Sequence, residues 1–193
     1  MQEKGIVFLE GFKTILRPFA PDDLLVVTRW INDPRVRRFI SAYLPQSLIV
    51  EEEWIRSKCS DDKKISLGIV AKPSGVLIGS MGLDGINWKD RVATTGALIG
   101  ERAYWGQGYG TDAKMALLEY AFHELDLYKI CSAVIAFNRR SLAYSLHCGY
   151  RIEGRRKSHI VKGGRRYDRI ELAVFRHQWE PIWHRWKKTG SVK

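Results

Sequence analysis

Apolar residues recur along this chain on two periods, and each change of period marks a boundary between elements. TILRPF at 14–19 is a short apolar strand, and Pro21-Asp22-Asp23 then supplies the proline and acids that open a helix. The pattern predicts that helix over 22–31, ended by Asn32-Asp33-Pro34 and followed by a short basic helix. Ser47 begins another, in which Val50, Trp54 and Ile55 return at helical spacing. Three strand-like runs follow at 65–71, 76–86 and 92–99, separated by the turn-forming Lys72-Pro73-Ser74-Gly75 and Asn87-Trp88-Lys89-Asp90. They predict an antiparallel meander.

A helix-length segment then separates the run at 92–99 from KICSAVIAF at 129–137, a strand rich in β-branched and aromatic residues. A crossover of that length makes the two strands parallel neighbours. A short helix over 138–147, closed by Cys148-Gly149, leads to strands at 150–161 and 166–175 joined by the hairpin Lys162-Gly163-Gly164-Arg165. The fold class expected is α/β (α+β), a mostly antiparallel sheet with one central parallel pair. At 193 residues, with no repeat and no Pro/Gly/Ser-rich linker, a single domain over 1–193 is expected. Its core would span about 12–180, with a basic tail over 181–193.

Composition narrows the function classes little. There is no apolar run of about 18 residues that could span a bilayer, and the start MQEKGIVFLEGFK does not resemble a secretory signal. A cytoplasmic protein with no membrane partner is expected. Cys59, Cys131 and Cys148 are odd in number and widely spaced, which suggests neither a disulfide framework nor a metal site. The net charge of +11 favours anionic partners, with much of the excess in RRKSHIVKGGRR at 155–166 and in the tail. No helix-turn-helix, zinc-finger or RNP motif accompanies it, so no specific nucleic acid is expected. Trp179, Trp183 and Trp186 lie at helical spacing and are expected to pack a C-terminal helix on the sheet.

The chemistry is concentrated in YWGQGYGTDAKMALLEYAFHEL at 104–125. A strand, a glycine-rich turn and a helix N-terminus together bind anions, because free N–H groups and the helix dipole converge there. Glycines at 106, 108 and 110 do not give the dinucleotide fingerprint, and Gly-Thr-Asp does not close a P-loop. The hexapeptide Trp105-Gly106-Gln107-Gly108-Tyr109-Gly110 instead resembles the pyrophosphate loop of the GNAT superfamily, Gln/Arg-x-x-Gly-x-Gly/Ala, with Trp105 at the leading position. TILRPFAPDD, RWINDP, GALIG, NRRSLAYSLHCGYRIEG and GGRRYDRIELAVFRHQW follow in the superfamily's order, so the resemblance covers about 12–180. Within it, the chain resembles the branch of ribosomal-protein N-terminal and polyamine acetyltransferases.

The resemblance implies a GNAT fold whose parallel strands splay, and acetyl-CoA as the acetyl donor, released as CoA. It implies that backbone groups near Leu98 and Ile99 bond the pantetheine. Trp105, Gly106, Gln107, Gly108, Tyr109, Gly110 and Thr111 would form the pyrophosphate loop. Asn138 and Ser141 would reach the pantetheine or the reacting region, or cap the helix that follows the strand. The acceptor would be a protein N-terminal amine or a small-molecule amine, attacked directly in a ternary complex by a monomer or homodimer. Two departures bear on the chemistry. Thr94 stands where many relatives carry a Glu, and Ser145 where many carry a tyrosine as general acid, with Tyr144 one residue early and so rotated by 100°. Asp84 and Asp168 are the candidate acids for gripping or deprotonating the amine. His147 and His159 match no site position and read as structural. The departures leave a catalytically idle CoA-binding relative as an alternative, and the basic segments a nucleic-acid-binding module.

Overall fold

A computed structural model of the protein describes residues 6–59 and 61–192; residues 1–5, on which the signal-peptide reading falls, and the Cys59 side chain lie outside the described set. Eight strands form one sheet in the order β1-β2-β3-β4-β5-β6-β8-β7. They are β1 Leu9–Glu10, β2 Thr14–Arg17, β3 Ile65–Ala71, β4 Val76–Asn87, β5 Val92–Ile99, β6 Lys129–Ile135, β7 Arg151–Lys162 and β8 Arg165–Phe175. Among them run α1 Asp23–Asn32, α2 Pro34–Arg37, α3 Leu48–Cys59, α4 Tyr109–Glu119, α5 Arg139–His147 and α6 Arg176–Thr189. The expected meander and the expected parallel pair are both present. β3, β4 and β5 are antiparallel neighbours, whereas β5 and β6 run parallel. The tight β7–β8 turn holds Gly163 and Gly164 at φ of 56° and 73°, the left-handed pair that a two-residue hairpin demands.

The parallel pairing is short. It has three rungs, Val92↔Lys129, Ala93↔Ile130 and Thr94↔Cys131, after which the strands part. The crossover between them, α4, is buried from Asp112 through Leu118 and so shows no amphipathic stripe. One face of the sheet packs on α4, a π-helical turn at Tyr120–Glu124, and α6. As expected from their spacing, Trp179 and Trp186 of α6 are buried there, with Trp179 5.2 Å from Phe122. Val27, Trp30 and Val36 of α1 and α2 cover Val70 and Leu77 in a second cluster.

The N-terminus of α4 is clamped. The buried Asp112 carboxylate accepts the backbone N–H groups of Phe12, Lys13 and Thr14, each at 2.9 Å, and the Thr14 hydroxyl at 2.7 Å. A side chain at Gly11 would put its Cβ 2.2 Å from an Asp112 oxygen. The turn before β2 is thereby tied to the helix that the glycine loop opens. No helix of the described residues is long and apolar enough to cross a membrane.

Candidate functional site

Where β5 and β6 part, a cleft of about 1540 Å³ opens, walled by both strands, α3, α5 and residues 159–162 of the β7–β8 hairpin. The glycine loop lies at its mouth. Gly106 has φ of 76° and Gly108 φ of 87°, left-handed values that only glycine adopts readily, and no atom lies within 4 Å of where a Cβ on Gly106 would sit. Gly108 is the N-cap of α4, and Asp112 N–H makes the first bond of that helix, to the Gly108 carbonyl. The N–H groups of Tyr109, Gly110 and Thr111 are therefore first-turn donors with no acceptor in their own helix. Gly106, Gly108, Tyr109, Gly110 and Thr111 all line the cleft. Gly110 is helical, and a Cβ there would meet only the Ile99 side chain at 3.7 Å, so the protein itself does not require glycine at that position.

Two residues of the loop hold it in place. Gln107 is exposed and is not part of the cleft wall; its amide donates to the Ala103 carbonyl and its own carbonyl accepts Lys13 Nζ at 3.0 Å. Trp105 lines the cleft, and its indole N–H donates to the Ile99 carbonyl at 2.7 Å. Its ring lies under the Arg140 guanidinium, 4.4 Å from the ring centre, and edge-to-face with Phe39. The tryptophan thus braces the loop between the end of β5 and α5. It bonds the carbonyl of Ile99, one of the two residues whose backbone groups are expected to meet the pantetheine, and leaves that oxygen a second lone pair.

The α5 residues resolve the offset seen in the sequence. Asn138 is the N-cap, accepting Ser141 N–H at 3.2 Å, and both residues line the cleft, so capping and facing the site are compatible. Tyr144, one turn after Ser141, also lines it, whereas Ser145 is buried outside it. Burial holds the Tyr144 phenol well above the ordinary tyrosine range, so it keeps its proton. On β4, Asp84 pairs across to Thr94 and lines the cleft, with one oxygen 4.0 Å from where Gly96 would carry a Cβ. A carboxylate therefore reaches the β5 surface from the neighbouring strand, beside the position where Thr94 supplies none. Asp168 lies away from the cleft wall. One oxygen takes Ser158 N–H at 2.8 Å and the other Arg155 Nε at 2.5 Å, which lowers its pKa and fixes it in the hairpin. His147 and His159, read as structural, both line the cleft.

Two buried charges escaped the sequence reading. Lys114 is fully buried, and its Nζ donates to Thr95 Oγ1 at 2.8 Å. Thr95 Oγ1 also lies 2.9 Å from the Tyr150 hydroxyl and 3.3 Å from the Cys131 carbonyl. A carbonyl only accepts, so the single Thr95 proton goes to Cys131, and Tyr150 and Lys114 both donate to Thr95. This network closes the base of the wedge, one residue beyond the last rung. The Lys114 ammonium also faces the rings of Tyr144 and Tyr150 at 5.3 and 5.0 Å, and burial lowers its pKa to about 8. The signal in the sequence is a lone charge inside the apolar run of α4. The second charge is Glu51 of α3, 2% exposed and lining the cleft, with no hydrogen-bond partner for Oε1 among the described residues. Burial raises its pKa, with no cation contributing.

Several cations of the basic hairpin are paired. Arg156 and Arg169 meet Glu171 at 2.8 and 3.2 Å, Arg155 meets Asp168, and Lys162 donates to the Ala42 carbonyl at 3.1 Å.

Comparison with known proteins places this geometry among relatives. A family model described as an acetyltransferase (GNAT) domain matches residues 13–151. The spermidine N(1)-acetyltransferase of Escherichia coli (strain K12) is 27% identical over 164 residues, covering 85% of this chain and 87% of the relative. The uncharacterized N-acetyltransferase YnaD of Bacillus subtilis (strain 168) is 24% identical over 172 residues, 86% of this chain and 96% of the relative. Among solved structures, the spermidine N-acetyltransferase of Vibrio cholerae in complex with CoA and spermine superposes with a TM-score of 0.81 at 21% identity, covering 87% of this chain and 98% of that one.

Proposed function

The chain belongs to the GNAT acetyltransferase family, and from that premise we propose that it passes the acetyl group of acetyl-CoA directly to a primary amine within a ternary complex. As a member of that family it is an acetyl-transferring enzyme that uses acetyl-CoA. The observation that carries the fuller reading is the wedge beyond Thr94 and Cys131 with the glycine cradle at its mouth. The open space beside Gly106 and the first-turn amides of α4 fit a diphosphate, and the unpaired strand edges fit an extended amide-bearing arm. Residues 106 and 108–111 would hold the diphosphate, Leu98 the arm, and Asn138 and Ser141 the region near the reacting end. When bound, acetyl-CoA supplies an activated acyl carbon and a thiolate leaving group.

The rest of the chemistry belongs to the protein. The attacking amine has to be neutral, and Asp84, in the wall next to β5, is placed to take its proton. A proton has to reach the departing sulfur, and Tyr144, which stays protonated and faces the cleft, can provide it. Neither described cysteine competes as a nucleophile: burial raises the pKa of Cys131 and pushes that of Cys148 up to about 12, so these two thiols do not ionise readily at neutral pH. That supports direct transfer. The acceptor is a small-molecule amine or a protein N-terminal amine, the first in keeping with the spermidine acetyltransferases among the relatives.

Initial-rate analysis with acetyl-CoA and an amine panel that includes peptides with free N-termini tests the reading. Intersecting double-reciprocal lines, and turnover kept in a variant lacking all three cysteines, are expected. Parallel lines with acetyl label trapped on a cysteine would refute direct transfer.

A further inference from the structure

Lys114 carries a positive charge into the core at 0% exposure, with no carboxylate of the described residues paired to it. A buried charge without an opposite one is strongly disfavoured, and one hydrogen bond to Thr95 offsets only part of that. Its neighbours on α4, Ala113, Met115 and Leu117, fill the same depth with apolar atoms, so packing does not require the charge. Cys148, Tyr150 and Tyr144 face the ammonium. The first two are buried outside the cleft wall, and the Tyr150 hydroxyl is taken up by Thr95. Tyr144 differs from them: its ring meets the ammonium at 5.3 Å and also lines the cleft. Lys114 is not itself in that wall, so it meets the reacting region only through the Tyr144 ring and Thr95.

Proton return from Tyr144 creates a charge that has to be balanced. As the nitrogen–carbon bond forms and the carbon–sulfur bond breaks, the amine proton goes to Asp84 and the phenol proton to sulfur. The products are an amide, the CoA thiol and a phenolate, which regains its proton from solvent once they leave. Burial already disfavours that phenolate, and a cation over the ring attracts the ionised ring more strongly than the neutral one. We propose that Lys114 is a positioning residue for the transfer step: its ammonium fixes the Tyr144 ring and neutralises the phenolate formed when the proton passes to sulfur. This rests on the reading of Tyr144 as the proton donor.

A double-mutant cycle on the full chain tests it. Lys114→Met should lower kcat at least about tenfold, with the KM for acetyl-CoA and the calorimetric affinity for CoA little changed. Tyr144→Phe should lower kcat as well, and adding Lys114→Met to it should lower kcat no further. Lys114→Gln, which keeps a donor for Thr95 without the charge, should behave as Lys114→Met does. A second readout needs no turnover. With a tetrafluorinated tyrosine in place of Tyr144, fluorine NMR of the CoA-free protein follows ionisation of that phenol directly. Its midpoint should lie at least about one pH unit lower in the otherwise wild-type chain than in Lys114→Met. Equal loss from Lys114→Met in both backgrounds, full activity in Lys114→Gln, or coincident fluorine midpoints overturn the proposal. An undiminished kcat in Tyr144→Phe would instead strike the reading of Tyr144 as proton donor, and the proposal with it.

Discussion

Replacing Lys114 with methionine should change how stability depends on pH in a calculable way. The ammonium is enclosed by Thr95, Tyr144 and Tyr150, with no carboxylate of the described residues paired to it, and burial lowers its pKa from 10.5 to about 8. In the unfolded chain the same group titrates near its ordinary value. Between the two pKa values the unfolded state holds the extra proton, so stability rises with pH across that window; the penalty is complete below it. The full difference is about 3 kcal/mol, and about 2 kcal/mol of it is recovered between pH 7 and pH 9.5. Cys148 and Tyr150 act in the opposite direction, since burial raises both and their unfolded forms ionise first. Those contributions are largely common to both proteins, so the difference between wild type and Lys114→Met isolates the lysine. Urea denaturation at pH 7.0, 8.5 and 9.5 measures it, and the wild type should gain on the variant by about 2 kcal/mol over that range. Parallel profiles would refute the claim that Lys114 is a desolvated cation. The absolute effect at pH 7 is a separate quantity, because methionine also removes a donor from Thr95.

Other perturbations discriminate the roles of the loop, the clamp and the cleft acids. Gly108→Val places a β-branched residue at φ 87° and should weaken CoA binding at least tenfold by calorimetry, at a cost of about 1–2 kcal/mol in stability. Asp112→Ala strips an acceptor from three N–H groups and a hydroxyl, and should cost about 3 kcal/mol or more, read as a melting temperature lower by roughly 6–12 °C. Tyr144→Phe should reduce kcat at least tenfold with CoA affinity retained; an unchanged kcat would remove Tyr144 from the proton path. Asp168→Asn should leave CoA binding and turnover intact, because its partners are Arg155 and Ser158 within the hairpin.

The glycine loop and the order of strands were legible because they are local. Turn residues at 72–75, 87–90 and 162–165 bound the strands, and positive φ at Gly106 and Gly108 is a demand that the sequence meets visibly. What stayed hidden depends on long-range placement. Asp168 looked like a site acid, but a bulge in β7 at Ser158 turns an N–H onto it and Arg155 completes its shell. His147 and His159 matched no motif, yet α5 and the hairpin bring both to the cleft. The offset between Tyr144 and Ser145 could not be judged from spacing alone, since helix position sets a direction only relative to a known face. Glu51 sits in a run of three glutamates, where composition does not distinguish them. Its neighbours three and four residues on gave no guide, since Trp54 is exposed and Ile55 half-buried while Glu51 itself is buried.

The early parting of β5 and β6 gives this sheet four edges rather than two. Its outer edges are blunted in familiar ways: β1 is two residues long, and β7 is broken by two register shifts and studded with Arg151, Arg155, Arg156 and Lys157. The inner edges, β5 beyond Thr94 and β6 beyond Cys131, have neither device. Their protection is geometric, because the walls of the wedge keep out another folded sheet while admitting a single extended thread. An edge that would invite aggregation on a surface is thereby safe in a recess, and it selects occupants by cross-section as well as by chemistry. A short extended peptide able to form backbone hydrogen bonds on both sides would meet the same admission rule and should compete with CoA for the slot.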